Sequence, residues 1–342
     1  MEKSIQRKLN LDLLRILATI AVAGIHVSTL HYYDFDPRSF GWLSINFYDA
    51  IARWSVPVFV MISGALFLDE ERSIDLGRLF QKNILRLLAA FVFWALIYAV
   101  CHADGQRDFW QRLFTGHFHM WFVLMIIGLY MLIPVLRKIT ADMRIAEYFL
   151  LVTGLAIFLI PALLRLPFLS FLESPMNRFT STLSVGYPVY FVAGWYLSKK
   201  DFSKTQRILI YVLGAAGMLG TIAATSVLSY TSGKATPDPF YSYFSLEVML
   251  EAVALFVFFR QLLTRRNLGA KTIKWIALLS KYSFGAYMAH ILVLDLIQKL
   301  GLRVTSFPAI ASVPVMVALV CGGSFAISAV IHQIPFLKRY VV

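Results

Sequence analysis

Acidic side chains are scarce in this chain. Asp and Glu together number 19 in 342 residues, against 32 Lys and Arg, and the four charged types make up 15% of the sequence. A soluble domain carries about 25% charged and 45–50% apolar residues. Here the apolar share is 59% and the mean hydropathy is +0.69. That shortage of charge excludes a water-facing surface over most of the molecule, and lipid takes the place of water as solvent. Cysteine is nearly absent too. Cys101 and Cys321 both lie in apolar runs without CxxC spacing. This excludes a disulfide framework and a thiolate metal site and leaves two inert, buried thiols as the expectation. Internal repeats and low-complexity tracts are missing, and no connection is long enough to fold alone, so residues 1–342 read as a single membrane domain. The apolar runs are continuous, which excludes the alternating pattern of a membrane β-barrel.

What remains is a series of apolar segments. A helix needs about 20 such residues to cross a bilayer. The segments are Leu11–Tyr33, Phe47–Leu68, Ile84–Cys101, His119–Leu136, Ala146–Leu164, Leu183–Ser198, Ile208–Ser229, Tyr241–Leu263, Trp275–Gln298 and Ala309–Gln333. They predict an all-α integral membrane fold with about ten transmembrane helices. The basic start, Met1 to Lys8, followed by an apolar run resembles a signal peptide. The run nevertheless carries Asp12 and Arg15 and has no A-x-A cleavage pattern, so it reads as a retained first helix.

The net charge of +13 invites a nucleic-acid reading. The cations argue against it, because they come as short clusters between apolar runs and not on one polar face. Nineteen of them, including Arg72, Arg78, Lys82, Arg137, Lys138, Lys199, Lys200, Arg265, Arg266 and Lys338, fall on the ends and connections of one side. Eight fall on the other: Arg38, Arg107, Arg112, Arg165, Arg178, Lys234, Lys299 and Arg303. The positive-inside bias then places both termini in the cytoplasm and the 102–118 and 165–182 connections outside.

A charge at the bilayer centre costs about 2.5–3.5 kcal/mol on insertion scales, so polar residues inside these helices mark a functional interior. The first helix carries the clearest set. At 100° per residue, Asp12, Arg15, Thr19 and His26 share an arc of about 60°. Arg15 and His26 are about 20° apart around the axis and roughly 16 Å apart along it. Pro57 in the second helix predicts a kink and a freed carbonyl near Arg53, and Ser63-Gly64 permits close backbone approach. Arg78, Lys82 and Arg86 crowd the inner entrance of the third helix, where they suit a phosphorylated ligand or lipid headgroups. His117 and His119 open the fourth; two imidazoles are short of a metal set, so no metal is expected. Glu247 and Glu251, one turn apart on the eighth, require cationic or hydrogen-bonded partners, with Arg53, Lys281 or a histidine as candidates. His290 falls in the outer half of the ninth.

Four of these stretches together resemble the acyltransferase 3 family of membrane acyltransferases. Asp12-Leu13-Leu14-Arg15 with His26 resembles its basic residue–x10–His motif. Val56-Pro57-Val58-Phe59 through Ser63-Gly64 resembles its second-helix motif, and His119-Met120-Trp121-Phe122 its H-[LM]-W segment. Ser283-Phe284-Gly285-Ala286-Tyr287 with His290 resembles its late S-[FL]-G-x-Y-x-x-H motif. The match covers most of the chain, and the compact form is most similar to the enterobacterial common antigen O-acetyltransferase type. One departure is plain: where many members carry R-x-x-R at the third-helix entrance, this chain reads Asn83-Ile84-Leu85-Arg86, with Lys82 alongside.

The resemblance implies a multi-pass protein of the bacterial plasma membrane that moves an acyl group, usually acetyl, from cytoplasmic acetyl-CoA to a hydroxyl of an envelope glycan or lipid-linked sugar. It implies His26, Arg15, His119 and His290 as catalytic residues and Arg15, Lys82 and Arg86 as the coenzyme-binding set. The physics agrees with that assignment: a guanidinium suits coenzyme phosphates, and an imidazole can act as base or acyl carrier. Trp121, a backbone N–H near Pro57 and Lys281 are candidate oxyanion donors. A small-solute or lipid-linked sugar transporter and a non-catalytic binding domain are the alternatives. The transporter would be supported by inverted repeats, and the sequence has none.

The orientation is checked by labelling. Asp104→Cys, in a chain with both native cysteines replaced, is expected to react with a membrane-impermeant maleimide applied to the outside of intact cells. Reaction only from the cytoplasmic side would reverse the assignment.

Overall fold

The computed structural model describes residues 2–70, 75–183, 185–262 and 268–341. Every regular element among them is helical. The principal helices are α1 (Glu2–Thr29), α2 (Phe40–Ala50), α3 (Ser55–Phe67), α4 (Leu85–His102), α5 (Trp121–Thr140), α6 (Met143–Gly154), α7 (Pro188–Lys199), α8 (Lys204–Ser232), α9 (Leu246–Leu262), α10 (Ala270–Lys299) and α11 (Ala309–Ile331). Among the described residues eight helical stretches are long and apolar enough to cross a membrane. Helices α7 and α9, at 12 and 17 residues, are shorter and lie inside the bundle. Arg72, Arg265 and Arg266 lie outside the described residues, as does Leu263 at the expected end of the eighth segment.

Helix α1 is the hub. It packs against α2, α3, α9, α10 and α11, because its polar face has to be covered by protein and not by lipid. The apolar core falls into two clusters along its length. Leu11, Leu14 and Ala18 join Met61, Phe191 and Trp195 in one. Val22, Ala23 and Val27 join Trp42, Trp94 and Met316 in the other. Phe59, Leu87, Phe122 and Tyr187 pack against both and form the waist of the molecule. Arg15, Lys82 and Arg86 lie on one side of that waist, called here the basic end.

Four features differ from the pattern read in the sequence. The expected second helix is two helices. Ser39 caps α2 by accepting from Trp42 N at 3.1 Å, and the chain then turns through Ile51–Trp54 before α3. Pro57 has no N–H for the Arg53 carbonyl, so the break falls one turn before the proline. At the basic end the chain enters α4 through a π-helical turn, Leu79–Ile84, which widens the helix where a ligand-facing surface is built. The 102–118 connection holds an amphipathic helix, Gln106–Thr115, held by Arg112 Nε donating to Asp108 Oδ2 at 2.6 Å. Cys101 is exposed and Cys321 half-buried, so neither thiol is in the core.

The buried position of α7 depends on two glycines. A Cβ on Gly64 of α3 would sit 1.8 Å from the Phe191 carbonyl oxygen, and one on Gly194 of α7 would sit 1.9 Å from that of Met61. The two backbones therefore touch, as small residues allow in membrane helix pairs. Gly64→Ala is expected to lower the apparent melting temperature of the purified protein by at least about 5 °C, since the clash is with backbone that cannot rotate away. Gly128→Ala, which meets nothing within 4 Å, serves as control. Equal melting of the two variants would show that the helices separate freely.

Candidate active site

Three imidazoles from three helices converge beyond the waist, on the side away from the basic end. His26 comes from the last turn of α1. His119 comes from the short 3-10 turn Phe118–Met120 that leads into α5, and Gly116 at φ +73° makes the bend that admits it, a conformation side-chain-bearing residues avoid. His290 comes from α10, one turn beyond Tyr287. The His26 ring centroid is 5.1 Å from that of His290 and 6.4 Å from that of His119, and the latter two are 5.0 Å apart.

Hydrogen bonds fix two of the three rings. The Tyr287 hydroxyl donates to the His119 carbonyl oxygen at 2.5 Å. His290 Nδ1 donates to the Tyr287 carbonyl, which leaves Nε2 as the nitrogen with a free lone pair. His119 Nδ1 lies 3.1 Å from His117 Nδ1. His117 stacks on Tyr98, and His102 lies beyond, its Nε2 2.8 Å from Asp295 Oδ2. His119 and His290 are buried, whereas His26 is half-buried and its ring forms no hydrogen bond among the described residues. His119 and His290 each keep an Nε2 without a partner among the described residues, and His26 is the most exposed ring of the three. No group of three His, Cys, Asp or Glu among the described residues is arranged to hold a metal ion.

On the basic side of the waist lies a cavity of about 460 Å³. Arg15, Lys82, Arg86 and Lys281 line it at its charged part, together with Asn83 and Ser280; Ile62, Phe59, Phe122 and Tyr287 line its apolar part. Arg15 is anchored: Nη1 donates to Asp12 Oδ1 at 3.2 Å and to Ser280 Oγ at 3.1 Å, and Ser280 Oγ donates to Asp12 at 2.7 Å. The wall contains four cations and no carboxylate, so it suits a polyanion. The π turn brings Lys82, Asn83 and Arg86 to it together. Phe122 and Tyr287 close its apolar part, their rings 5.6 Å apart, and Tyr287 is 5.6 Å from His290. An aromatic wall one ring thick therefore separates the cationic cavity from the imidazoles.

The residues singled out from the sequence thus fall into two groups. His26, His119 and His290 meet. Arg15 is not with them but joins Lys82 and Arg86 in the cavity. Lys281 belongs to that cavity as well, nine residues and about 14 Å before His290 on the helix, and the Trp121 ring packs against those of Tyr187 and Tyr243. Of the acidic pair on α9, Glu247 has another partner than those considered, Arg165 Nη1, which donates to both its oxygens at 2.9 and 3.0 Å, while Glu251 is buried with Oε2 unpaired among the described residues. Arg53 is bound to Asp49, a residue four positions earlier. That i, i+4 spacing was the available signal for this pair.

A family model described as an acyltransferase domain matches residues 8–332. No curated protein matches the chain, and no solved structure does.

Proposed function

The chain belongs to the acyltransferase 3 family, whose domain covers residues 8–332, and from that premise we propose a donor, an acceptor and a division of labour. The donor is acetyl-CoA, its phosphates held by Arg15, Lys82 and Arg86 in the basic cavity, which faces the cytoplasm. The acceptor is a hydroxyl of an envelope saccharide or lipid-linked sugar, in keeping with the likeness to the enterobacterial common antigen O-acetyltransferase type, and it approaches from the opposite side. One observation carries the reading: a cavity walled by four cations and no carboxylate ends on aromatic rings directly behind which three imidazoles meet.

His26 acts as the base. The acceptor oxygen attacks the thioester carbonyl carbon while its proton passes to His26. The carbon–oxygen bond forms, the carbon–sulfur bond breaks, and the departing thiolate takes the proton back from the imidazolium. The neighbouring rings limit the trio to one proton at a time. Two positive charges 5.1 Å apart repel by about 3 kcal/mol at an effective dielectric constant of 20. The same proton is therefore handed on before another is taken, and the cycle closes without net proton uptake. For the thioester to meet His26 the acyl-bearing arm passes between the Phe122 and Tyr287 rings, whose apolar packing around it limits a competing hydrolysis that the same base would promote.

Two variants separate the roles. His26→Gln keeps a hydrogen-bonding side chain but no base, so acetate transfer to the glycan is expected to fall by about 10²–10⁴ with acetyl-CoA binding retained. Arg15→Ala is expected to raise the KM for acetyl-CoA at least about tenfold, a loss of about 1.4 kcal/mol. Normal transfer by well-folded His26→Gln would remove the proposed base. Unchanged coenzyme affinity in the Arg15→Ala, Arg86→Ala double variant would make the cluster a lipid-headgroup site.

A further inference from the structure

Lys338 enters the sequence pattern only as one of the cations that set the orientation. In the fold it stands beside the basic cavity. Ser328 Oγ of α11 donates to the Tyr282 carbonyl oxygen of α10 at 2.9 Å, which fixes the two helices against each other. One turn on, His332 Nδ1 donates to the Ser328 carbonyl oxygen at 2.8 Å, and its ring lies 4.8 Å from that of Tyr282. The Lys281 ammonium is 5.5 Å from the centroid of the same tyrosine ring. Tyr282 therefore joins a histidine at the end of α11 to a lysine that lines the cavity. The chain then turns into a short helix, Pro335–Tyr340, which packs on α4. Leu337 and Tyr340 of that helix pack against the core, and Lys338 is exposed. Lys338, Lys281 and Arg86 are all close enough to His332 to act on it electrostatically.

These charges are not compensated within the protein. Arg15 in the same cavity is bonded to Asp12, but Lys281 and Lys338 form no hydrogen bond or ion pair among the described residues. His332 Nε2, the ring nitrogen turned away from Ser328, has no hydrogen-bond partner among them either. Two unpaired ammonium groups beside an imidazole make a second centre of positive charge next to Arg15, Lys82 and Arg86. An ammonium is a compact point charge that suits a phosphate. The number of charges narrows the ligand further. A phosphomonoester carries about −1.5 to −2 at pH 7, whereas the phosphodiester of most lipid headgroups has no second ionisation. Two free lysines therefore favour the monoester over the headgroup.

We propose that Lys281, His332 and Lys338 form a second anion subsite beside the basic cavity and that it takes a terminal phosphomonoester. With coenzyme A as ligand, the subsite holds the 3′-phosphate, and Arg15, Lys82 and Arg86 hold the diphosphate. The identity of the ligand rests on the acyltransferase reading; the preference for a monoester does not. The test is a binding measurement that involves no transfer. Purified protein in phosphatidylcholine nanodiscs is titrated calorimetrically with coenzyme A and with 3′-dephospho-coenzyme A, which differ by that one phosphate. Coenzyme A is expected to bind at least about tenfold more tightly. Lys338→Ala, at an exposed position that leaves the fold intact, is expected to remove most of the difference by weakening coenzyme A alone, and Lys281→Ala to do the same. Arg86→Ala is expected to weaken both ligands and keep their ratio. Equal affinities in the unmodified protein, no binding of either ligand, or lysine variants that weaken both ligands alike would overturn the subsite. The ratio is expected to persist in nanodiscs containing phosphatidylglycerol; its loss there would assign the lysines to lipid phosphate and overturn the proposal. Coenzyme A bound without discrimination would remove the subsite and leave the acyltransferase reading standing. Discrimination in a protein that transfers no acyl group would uphold the subsite and remove the enzymatic reading instead.

Discussion

The bundle is organised by the cost of placing a guanidinium and an imidazole on one face of a single membrane helix. Arg15 and His26 share a side of α1 and stand roughly 16 Å apart along it. Neither can face hydrocarbon without a penalty of a few kcal/mol. The fold answers by surrounding α1 with five helices and giving each end of the polar face its own partners. Asp12 and Ser280 hold Arg15, and the rings of His290 and His119 stand beside His26. The close contact of Gly64 with α7 and of Gly194 with α3 draws α7 into the centre, although it is too short to cross a bilayer unaided.

The arrangement keeps two unlike cavities apart. A cationic cavity occupies one half of the molecule and a cavity with a self-neutralising ion pair occupies the other. Phe59, Phe122 and Tyr287 stand between the first cavity and the imidazoles. Under the proposed function, that division gives the acyl thioester and the hydroxyl opposite kinds of wall and one shared base. Tyr287 belongs to both sides, since it lines the cationic cavity, donates to the His119 carbonyl and accepts from His290 through its own.

How much of this the sequence disclosed depends on the reach of each interaction. The shared face of Arg15 and His26 follows from helical period alone, and the continuous apolar runs gave the all-helical membrane class. Hydropathy also marked α7, but not that Gly194 seats it against Gly64 of α3, because that contact is with a segment more than a hundred residues away. The resemblance singled out His119 and His290, yet their meeting with His26 is long-range and no spacing encodes it. The break at Ile51–Trp54 was displaced from its cause, Pro57, by the one turn over which a missing N–H acts. Asp49 was overlooked because it sits in an ordinary apolar stretch. The i, i+4 spacing to Arg53 was the signal that could have found it, and the pair is formed in the fold.

The central claim is that donor and acceptor reach one histidine cluster from opposite sides of the membrane. It is tested most directly in sealed proteoliposomes carrying the protein in one orientation and a lipid-linked saccharide. Acetyl-labelled acetyl-CoA is supplied only on the side of Arg15, Lys82 and Arg86, and the label is located with an impermeant esterase. The account predicts that acetate appears on sugars exposed on the opposite face, and that His26→Gln abolishes it. Label confined to sugars on the same side as the coenzyme would contradict it.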